Sequence, residues 1–331
     1  MDPLSDVLSL LKPRSYMFRG LDAGGQWSLH FKALQGIRCY ALLSGEFWLT
    51  VEGYPDPVHL KEGDCVLLPG GQPAKLGSDP ALTPVDASIV FPTVKEGGIV
   101  TYNGGGDCYG LGGYFEFAGR NAGILLGFLP AVVHIYRESD KKALRGSLEQ
   151  IMQELREPQP GGTLIAQHLA YLMLIQALRL FLMERAGGTE GAEAAKNAQS
   201  AGAVGWIYAL TDRQLSAAIH AMHENPAQKW TIQSLAERAC MSRSTFALKF
   251  KKLVGESPMN YLTRWRMMLA GDRLMNSSDP ISIIAPSLGY ESESAFSTAF
   301  KRIMQCSPRE YSLGRTEIAR IKLDTQFQNR S

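Results

Sequence analysis

The apolar and polar positions fall into distinct regimes along the chain. Residues 1–12 place Leu4, Val7, Leu8 and Leu11 on one side of a short amphipathic helix. From 14 to 117 the pattern changes to short aromatic and β-branched runs at 27–31, 39–43, 46–51, 65–68, 87–91 and 114–117, punctuated by Gly, Pro and Asp. Strand-length runs with regular turn signals predict an all-β sandwich or small barrel. From 139 to 183 a helical period takes over. Ala143, Leu144, Leu148, Ile151, Met152 and Leu155 mark one helix, and Pro158 with Pro160-Gly161-Gly162 breaks it. Thr163 is placed to cap the next, which carries Leu164, Ile165, Leu169, Leu172, Met173, Ile175, Leu178, Leu180 and Leu182. That helix is apolar nearly all round and must be buried on more than one side. One side suits the barrel and its partner helix; the other suits either a second subunit or a further layer of the same chain.

Residues 186–205 are almost all Gly, Ala, Ser and small polar groups, which build no core and read as a flexible interdomain linker. Beyond them the chain says nearly the same thing twice. Phe246, Phe250, Lys251, Ser257, Pro258 and Tyr261 return fifty positions later as Phe296, Phe300, Lys301, Ser307, Pro308 and Tyr311. A repeat of that kind is one supersecondary unit used twice. In the first copy Ile232, Leu235, Ala236 and Ala239 form a short helix. Ser242 then caps a second helix with Phe246, Phe250 and Leu253 on its buried face. In the second copy Ile281, Ile284, Ala285 and Leu288 precede Gly289 at the turn, and Phe296, Phe300 and Ile303 line the next helix. Each copy is a helix-turn-helix. A long helix over about 259–275 joins them, and recognition helices one DNA turn apart, roughly 34 Å, would enter successive major grooves.

Charge refines the picture. The whole chain carries only +2, but residues 212–331 hold 17 Lys+Arg against 11 Asp+Glu, and the rest 17 against 21. A mildly basic C-terminal part suits phosphate contact. No run of eighteen apolar residues predicts a membrane span. Nothing at the N-terminus reads as a signal peptide, and five irregularly spaced cysteines suit a reducing cytoplasm.

The doubled stretch resembles the AraC/XylS family of transcription regulators. The match runs over about 211–312. It includes Trp230-Thr231, Leu235-Ala236, Met241-Ser242, Gly255-Glu256-Ser257-Pro258, Tyr261-Leu262, Arg266, Ala270, Ile284-Ala285 and Gly289-Tyr290, besides the repeated residues. Departures are Cys240 and Gln305 at positions that usually carry glycine, Ser312 for the usual arginine, and Pro286 inside the first helix of the second unit, where it is expected to kink or shorten that helix. In front, Gly63-Asp64 followed by Pro69-Gly70-Gly71, with Gly36 and Ser44-Gly45-Glu46, resembles the motifs of cupin barrels. The stretch 104–135 is similar to the cupin subtype of hypochlorous-acid-responsive regulators. The resemblance implies a multidomain α and β chain. Its parts would be a cupin-like sensor barrel (1–138), a helical hairpin for dimerisation (139–185), a linker (186–208), an all-α double helix-turn-helix domain (209–314) and a C-terminal tail (315–331). It implies a cytoplasmic, homodimeric regulator of double-stranded promoter DNA, with RNA polymerase as a further partner.

On the first recognition helix Arg243, Ser244, Ala247, Lys249, Lys251 and Lys252 are the candidate DNA contacts. Arg243 suits a guanine edge or a phosphate, Ser244 and Ala247 suit small polar and thymine-methyl contacts, and the lysines suit phosphates. On the second, Glu293, Ser294, Ser297, Thr298 and Lys301 form a face of small hydroxyls with one acid, fitted to backbone and shape readout.

Metal-binding cupins converge several histidines and a glutamate. Here Leu42, Ser44 and Ala74 stand in those regions, and His30 and His59 are isolated, so no metal, cofactor or catalytic group is expected. The barrel then senses either a small organic ligand walled by Trp27, Tyr40 and Trp48, or an oxidant through Cys108 with Cys65 or Cys39 as partner. Two other readings remain, a cupin isomerase or oxygenase with an appended DNA-binding module, and a dimeric regulator indifferent to any effector.

Overall fold

The structure, a computed structural model, describes residues 2–11, 13–91, 98–117, 126, 129, 131–157, 159–186 and 205–313. The chain divides into two compact units.

The first unit is built on two sheets. One has the strand order β11-β6-β3-β10-β1-β9, from β1 (Pro13–Ala23), β3 (Ile37–Ser44), β6 (Cys65–Leu68), β9 (Ile99–Tyr102), β10 (Cys108–Phe117) and β11 (Val133–Ile135). The other runs β5-β4-β7-β2-β8, from β2 (Ser28–Phe31), β4 (Glu46–Val51), β5 (Val58–Lys61), β7 (Ala74–Gly77) and β8 (Val85–Asp86). Apolar side chains of both sheets meet in one core, with Leu29, Phe47, Leu49 and Leu76 from one and Tyr40, Leu42, Val66 and Leu68 from the other. Alternation sets which side chains turn inward: in β4, Phe47, Leu49 and Val51 are buried while Glu46 is exposed and Trp48 and Thr50 are half-exposed.

Residues 87–91, expected as a strand, differ. Ala87–Val90 forms a single helical turn, α2. Asp86 caps it by accepting from the Ser88 backbone N–H at 2.9 Å and the Ser88 hydroxyl at 2.7 Å. An aspartate able to hold the next backbone amides offers the chain a local alternative to the ladder.

Two helices, α3 (Glu138–Arg156) and α4 (Gly162–Ala186), pack on each other as the apolar pattern predicts. Asp64, buried at the turn before β6, anchors α3. One carboxylate oxygen lies 2.8 Å from Lys141 Nζ, and the other accepts from the Lys61 backbone N–H and lies 2.9 Å from His134 Nε2. Burial alone would raise the Asp64 carboxyl, but the His134 and Lys141 contacts outweigh it and hold it below its ordinary value. Arg156 closes the other end by donating to the Tyr109 hydroxyl of β10. Helix α4 buries Ala166, Ala170, Met173, Leu174, Ala177, Leu178 and Phe181 and leaves Leu164, Ile165, Leu172 and Met183 exposed. Its stretch Leu164–Met183 is long and apolar enough to cross a membrane by those measures alone. Counting uninterrupted apolar residues misses this because Gln167, His168, Gln176 and Arg179 break the run.

The second unit is helical. Its helices are α5 (Trp206–Leu210), which starts two residues before the unit does, α6 (Arg213–Glu224), α7 (Ile232–Arg238), α8 (Arg243–Val254), α9 (Pro258–Asn276), α10 (Ile281–Ser287) and α11 (Glu293–Met304). Helix α1 (Pro3–Leu10), capped by Asp2, belongs with this unit, although its sequence precedes the barrel and reads as part of 1–138. Its buried residues Leu4, Val7 and Leu8 and its contacts with α6 and α9 explain the amphipathic pattern. Beneath it His223 is enclosed: Nδ1 lies 3.4 Å from an Asp6 carboxylate oxygen and Nε2 2.8 Å from the Tyr261 hydroxyl, and the ring stacks on Trp265 at 3.9 Å. Of the stretch 186–208 expected as a linker, Ala186 ends α4 and Trp206–Tyr208 lie in helix α5, with Trp206 and Ile207 buried as apolar residues should be; 187–204, and the expected tail 315–331, lie outside the described residues.

Candidate functional site

One sequence rule builds both recognition helices, α8 and α11. Ser242 and Ser292 cap them, accepting from the Thr245 and Ala295 backbone N–H groups at 3.3 and 3.2 Å. Each runs twelve residues, and the order of buried, half-buried and exposed positions is the same in both. Phe246 and Phe250 are fully buried with Tyr261 set edge-on to Phe250 at 5.7 Å; Phe296 and Phe300 repeat this with Tyr311 at 5.4 Å.

The turns before these helices differ by one residue. In the first, the backbone N–H groups of Cys240 and Met241 donate to the carbonyls of Glu237 and Ala236. In the second, Gly289 and Tyr290 donate to Pro286 and Ala285, so Pro286 occupies the place of Glu237. Sequence reading allows that proline to shorten its helix; α10 is seven residues long, the same as α7. Glu291 is the extra residue, and it lies 2.5 Å from Lys229 Nζ. Gly289 has φ +80, and a Cβ there would sit 2.4 Å from the Ala227 carbonyl oxygen. Cys240 takes the equivalent left-handed conformation, φ +52, with a side chain attached.

Arg266 of α9 fixes the two copies to one another. It donates to the backbone carbonyls of Pro226 at 2.6 Å and Gln228 at 2.9 Å, before the first copy, and its guanidinium lies 5.7 Å from the Tyr290 ring of the second. Its place in the family motif is visible in the sequence, but this bridging role is not.

The outward faces hold the predicted contacts unequally. Arg243, Ser244, Lys251 and Lys252 are exposed, with Leu248 at 74% beside them, and Ala247 is half-buried. Lys249 is drawn aside: its Nζ lies 2.5 Å from Asp212, the cap of α6, and 3.2 Å from the Gln214 side-chain oxygen. An intramolecular ion pair occupies it, and the partner is too far off in sequence to foresee. On α11, Glu293, Ser294, Thr298 and Lys301 are exposed and Ser297 is half-buried. The cap of α11 is Ser292, so Glu293 is left free of that role.

A second site lies within the barrel. A cavity of about 410 Å³ is lined by Trp27, Phe31, Tyr40, Phe47 and Leu76, with Arg38, Arg19, Lys32 and Asp86 among its polar walls. Of the three aromatic residues expected as walls, Trp27 and Tyr40 line this cavity. Trp48 does not line the cavity: it faces the other way from β4 and stacks on His59 at 4.3 Å. Phe47 takes the place expected of it, since a one-residue error of phase in a short strand exchanges its faces. Arg38 is a lining residue that the pattern reading passes over; a single cation opening the apolar strand 37–43 is the signal that could have found it.

The cysteines are all free. Cys39, Cys65 and Cys108 are buried. A hydrogen bond from Cys65, then burial, pushes the Cys39 thiol well up. Cys108 lines the cavity; burial, with the Asp22 and Asp107 carboxylates nearby, pushes its thiol up to about 12. Thiolate chemistry needs the opposite surroundings.

A two-sheet barrel followed by a doubled helix-turn-helix defines a class of DNA-binding regulator, and comparison with known proteins gives the family. Residues 2–183 match the family described as Cupin, and residues 235–313 match the Helix-turn-helix domain family. The chain is 41% identical over 312 residues to an AraC-like transcription regulator of Streptomyces lividans, covering 94% of this chain and 98% of that one. It is 30% identical to the HTH-type transcriptional regulator AlkR of Acinetobacter baylyi over 94% and 99%. Among solved structures, the DNA-binding domain of AdpA in complex with a target DNA is 29% identical over 29% of this chain and 87% of that one, with a TM-score of 0.29. The chain belongs to the AraC-like transcription regulators, with a cupin-like N-terminal domain and a helix-turn-helix DNA-binding domain.

Proposed function

We propose that this regulator binds promoter DNA as a homodimer, through the outward faces of α8 and α11, and that a small organic effector in the barrel cavity changes its affinity for the operator. The observation that carries the reading is the exposed, capped α8 with Arg243 and Lys251 outward, repeated in outline by α11. Arg243 is the reader of a base edge, Ser244 and Ala247 lie against neighbouring bases, and Lys251, Lys252 and Lys301 hold phosphates. The apolar strip of α4, Leu164, Ile165, Leu172 and Met183, is the surface on which two copies pair. Residues 1–138 carry the sensor, 139–185 the dimer hairpin and 209–314 the reader, apart from α1, which joins the reader.

A cavity of this size favours an effector over an effector-indifferent regulator. Buried cysteines with raised thiols favour a bound ligand over an oxidant. The names of the relatives favour regulation over catalysis, with the chain working in the cytoplasm beside RNA polymerase. Fluorescence-anisotropy titration of labelled promoter fragments, with light scattering for mass, tests this. The expected result is a dimer whose affinity falls steeply with salt and differs between promoter and random DNA. Equal binding to both sequences would defeat the assignment of a reading face.

A further inference from the structure

Resting on the reading of the barrel as a sensor, we infer that its cavity is a carboxylate site: it takes a small organic acid with an apolar alkyl or aryl body, and Arg38 receives the acid group. Arg38 is only 6% exposed. The described neighbours of its guanidinium are neutral: the Lys32 carbonyl at 2.6 Å, the Tyr40 hydroxyl at 3.5 Å and the Phe31 ring, whose centroid is 5.2 Å away. Asp86 and Glu116 also line the cavity, but no described carboxylate pairs with Arg38. Asp86 is taken by Lys32 at 2.7 Å and by the cap of α2.

Buried charges are normally paired, because desolvating one without an opposite charge is costly. A guanidinium has five donors in a planar fork, and the two contacts above leave donors for a carboxylate. The rest of the lining says what the acid carries. Trp27, Phe31, Tyr40, Phe47, Leu76 and Phe91 offer aromatic and aliphatic surface, with ring pairs Phe31–Tyr40 and Phe31–Phe91 at 5.7 and 6.2 Å. Sugars and polyols would find few partners against such walls. A cation would meet Arg38, Arg19 and Lys32.

The test uses the full chain and follows ligand binding by Trp27-sensitive fluorescence and calorimetry. Octanoate and phenylacetate are compared with octanol and phenylethanol, neutral molecules of similar body. The acids are expected to bind about 10- to 100-fold more tightly than the alcohols, the range that a charge-assisted contact supplies. Arg38→Met should bring that ratio to about one, while Arg38→Lys keeps part of it. Should the Met variant not fold, as judged by circular dichroism, the Lys variant and Arg38→Gln serve in its place. Alcohols binding as well as acids, or acid binding unchanged in Arg38→Met, overturns the proposal. Operator titration separates it from the wider reading. Acid binding that leaves operator affinity unmoved keeps the carboxylate site and removes its sensory role; operator affinity that responds to an alcohol, where the acids bind no better than the alcohols, removes the carboxylate site and keeps the sensory role.

Discussion

The two helix-turn-helix copies share an interior and differ in their faces. Phe246, Phe250 and Tyr261 have counterparts in Phe296, Phe300 and Tyr311, with ring distances within a few tenths of an ångström. Outside, Arg243 is matched by Glu293, Ala247 by Ser297 and Leu248 by Thr298. A repeated core is constrained by packing density, so its residues cannot drift far. An exposed face carries no such constraint, and its chemistry is free to follow the DNA.

Equality of the cores is the easiest part to break. Phe250→Ala and Phe300→Ala should each destabilise by about 3–5 kcal/mol in urea unfolding, as for other large-to-small changes at fully buried aromatics. A gap of several kcal/mol between them would mean that one copy leans on the other. The inequality of the faces is tested next. Arg243→Ala should lose about 1–3 kcal/mol of discrimination at one operator position, with Ser294→Ala changing binding far less. Uniform loss across all operator variants would make Arg243 a phosphate contact.

The backbone offers a smaller contrast. Gly255 and Gln305 both end their recognition helices in the left-handed region, at φ +91 and +59, and Cys240 and Gly289 do the same at the turns. In each pair one member carries a side chain there. Cys240→Gly and Gln305→Gly should therefore each stabilise by about 1 kcal/mol in thermal melts, the left-handed penalty outweighing the added freedom of the unfolded chain. The subtlest effect lies in α6, just ahead of the first copy. Burial lowers the His223 imidazole below its ordinary value; Asp6 opposes that shift and His220 adds to it. The unfolded chain then takes up a proton that the folded one refuses. Stability is full above about pH 6.5 and declines as the pH falls below it. A His223→Gln protein should show a flatter slope through that window.

Much of this is legible in the sequence. The offset of fifty gives the doubled unit, because two phenylalanines four apart, then Ser-Pro and Tyr at the same intervals, recur where one two-helix interior is packed twice. The barrel strands are legible as runs, but not their phase: Trp48 and Phe47 are adjacent, and only the tertiary structure decides which turns inward. Lys249 looks like its neighbours until Asp212 is folded against it. Residues 87–91 have strand composition, yet Asp86 captures the Ser88 amide and starts a helical turn there. Arg38 is visible as a misplaced charge whose meaning depends on the cavity around it.

Helix α1 makes the barrel an insertion. Helix α1 lies in the reader's unit, the barrel and hairpin follow it in the other unit, and the chain rejoins the reader's unit at Tyr208. A fragment beginning at 205 would be an incomplete object, with the seats of Leu4, Val7 and Leu8 vacant and His223 stripped of Asp6. Cleavage in the 187–204 segment alone would also not free the reader, since α1 would still hold its place in it. Truncation boundaries drawn between 187 and 204 would therefore understate the stability of the reader.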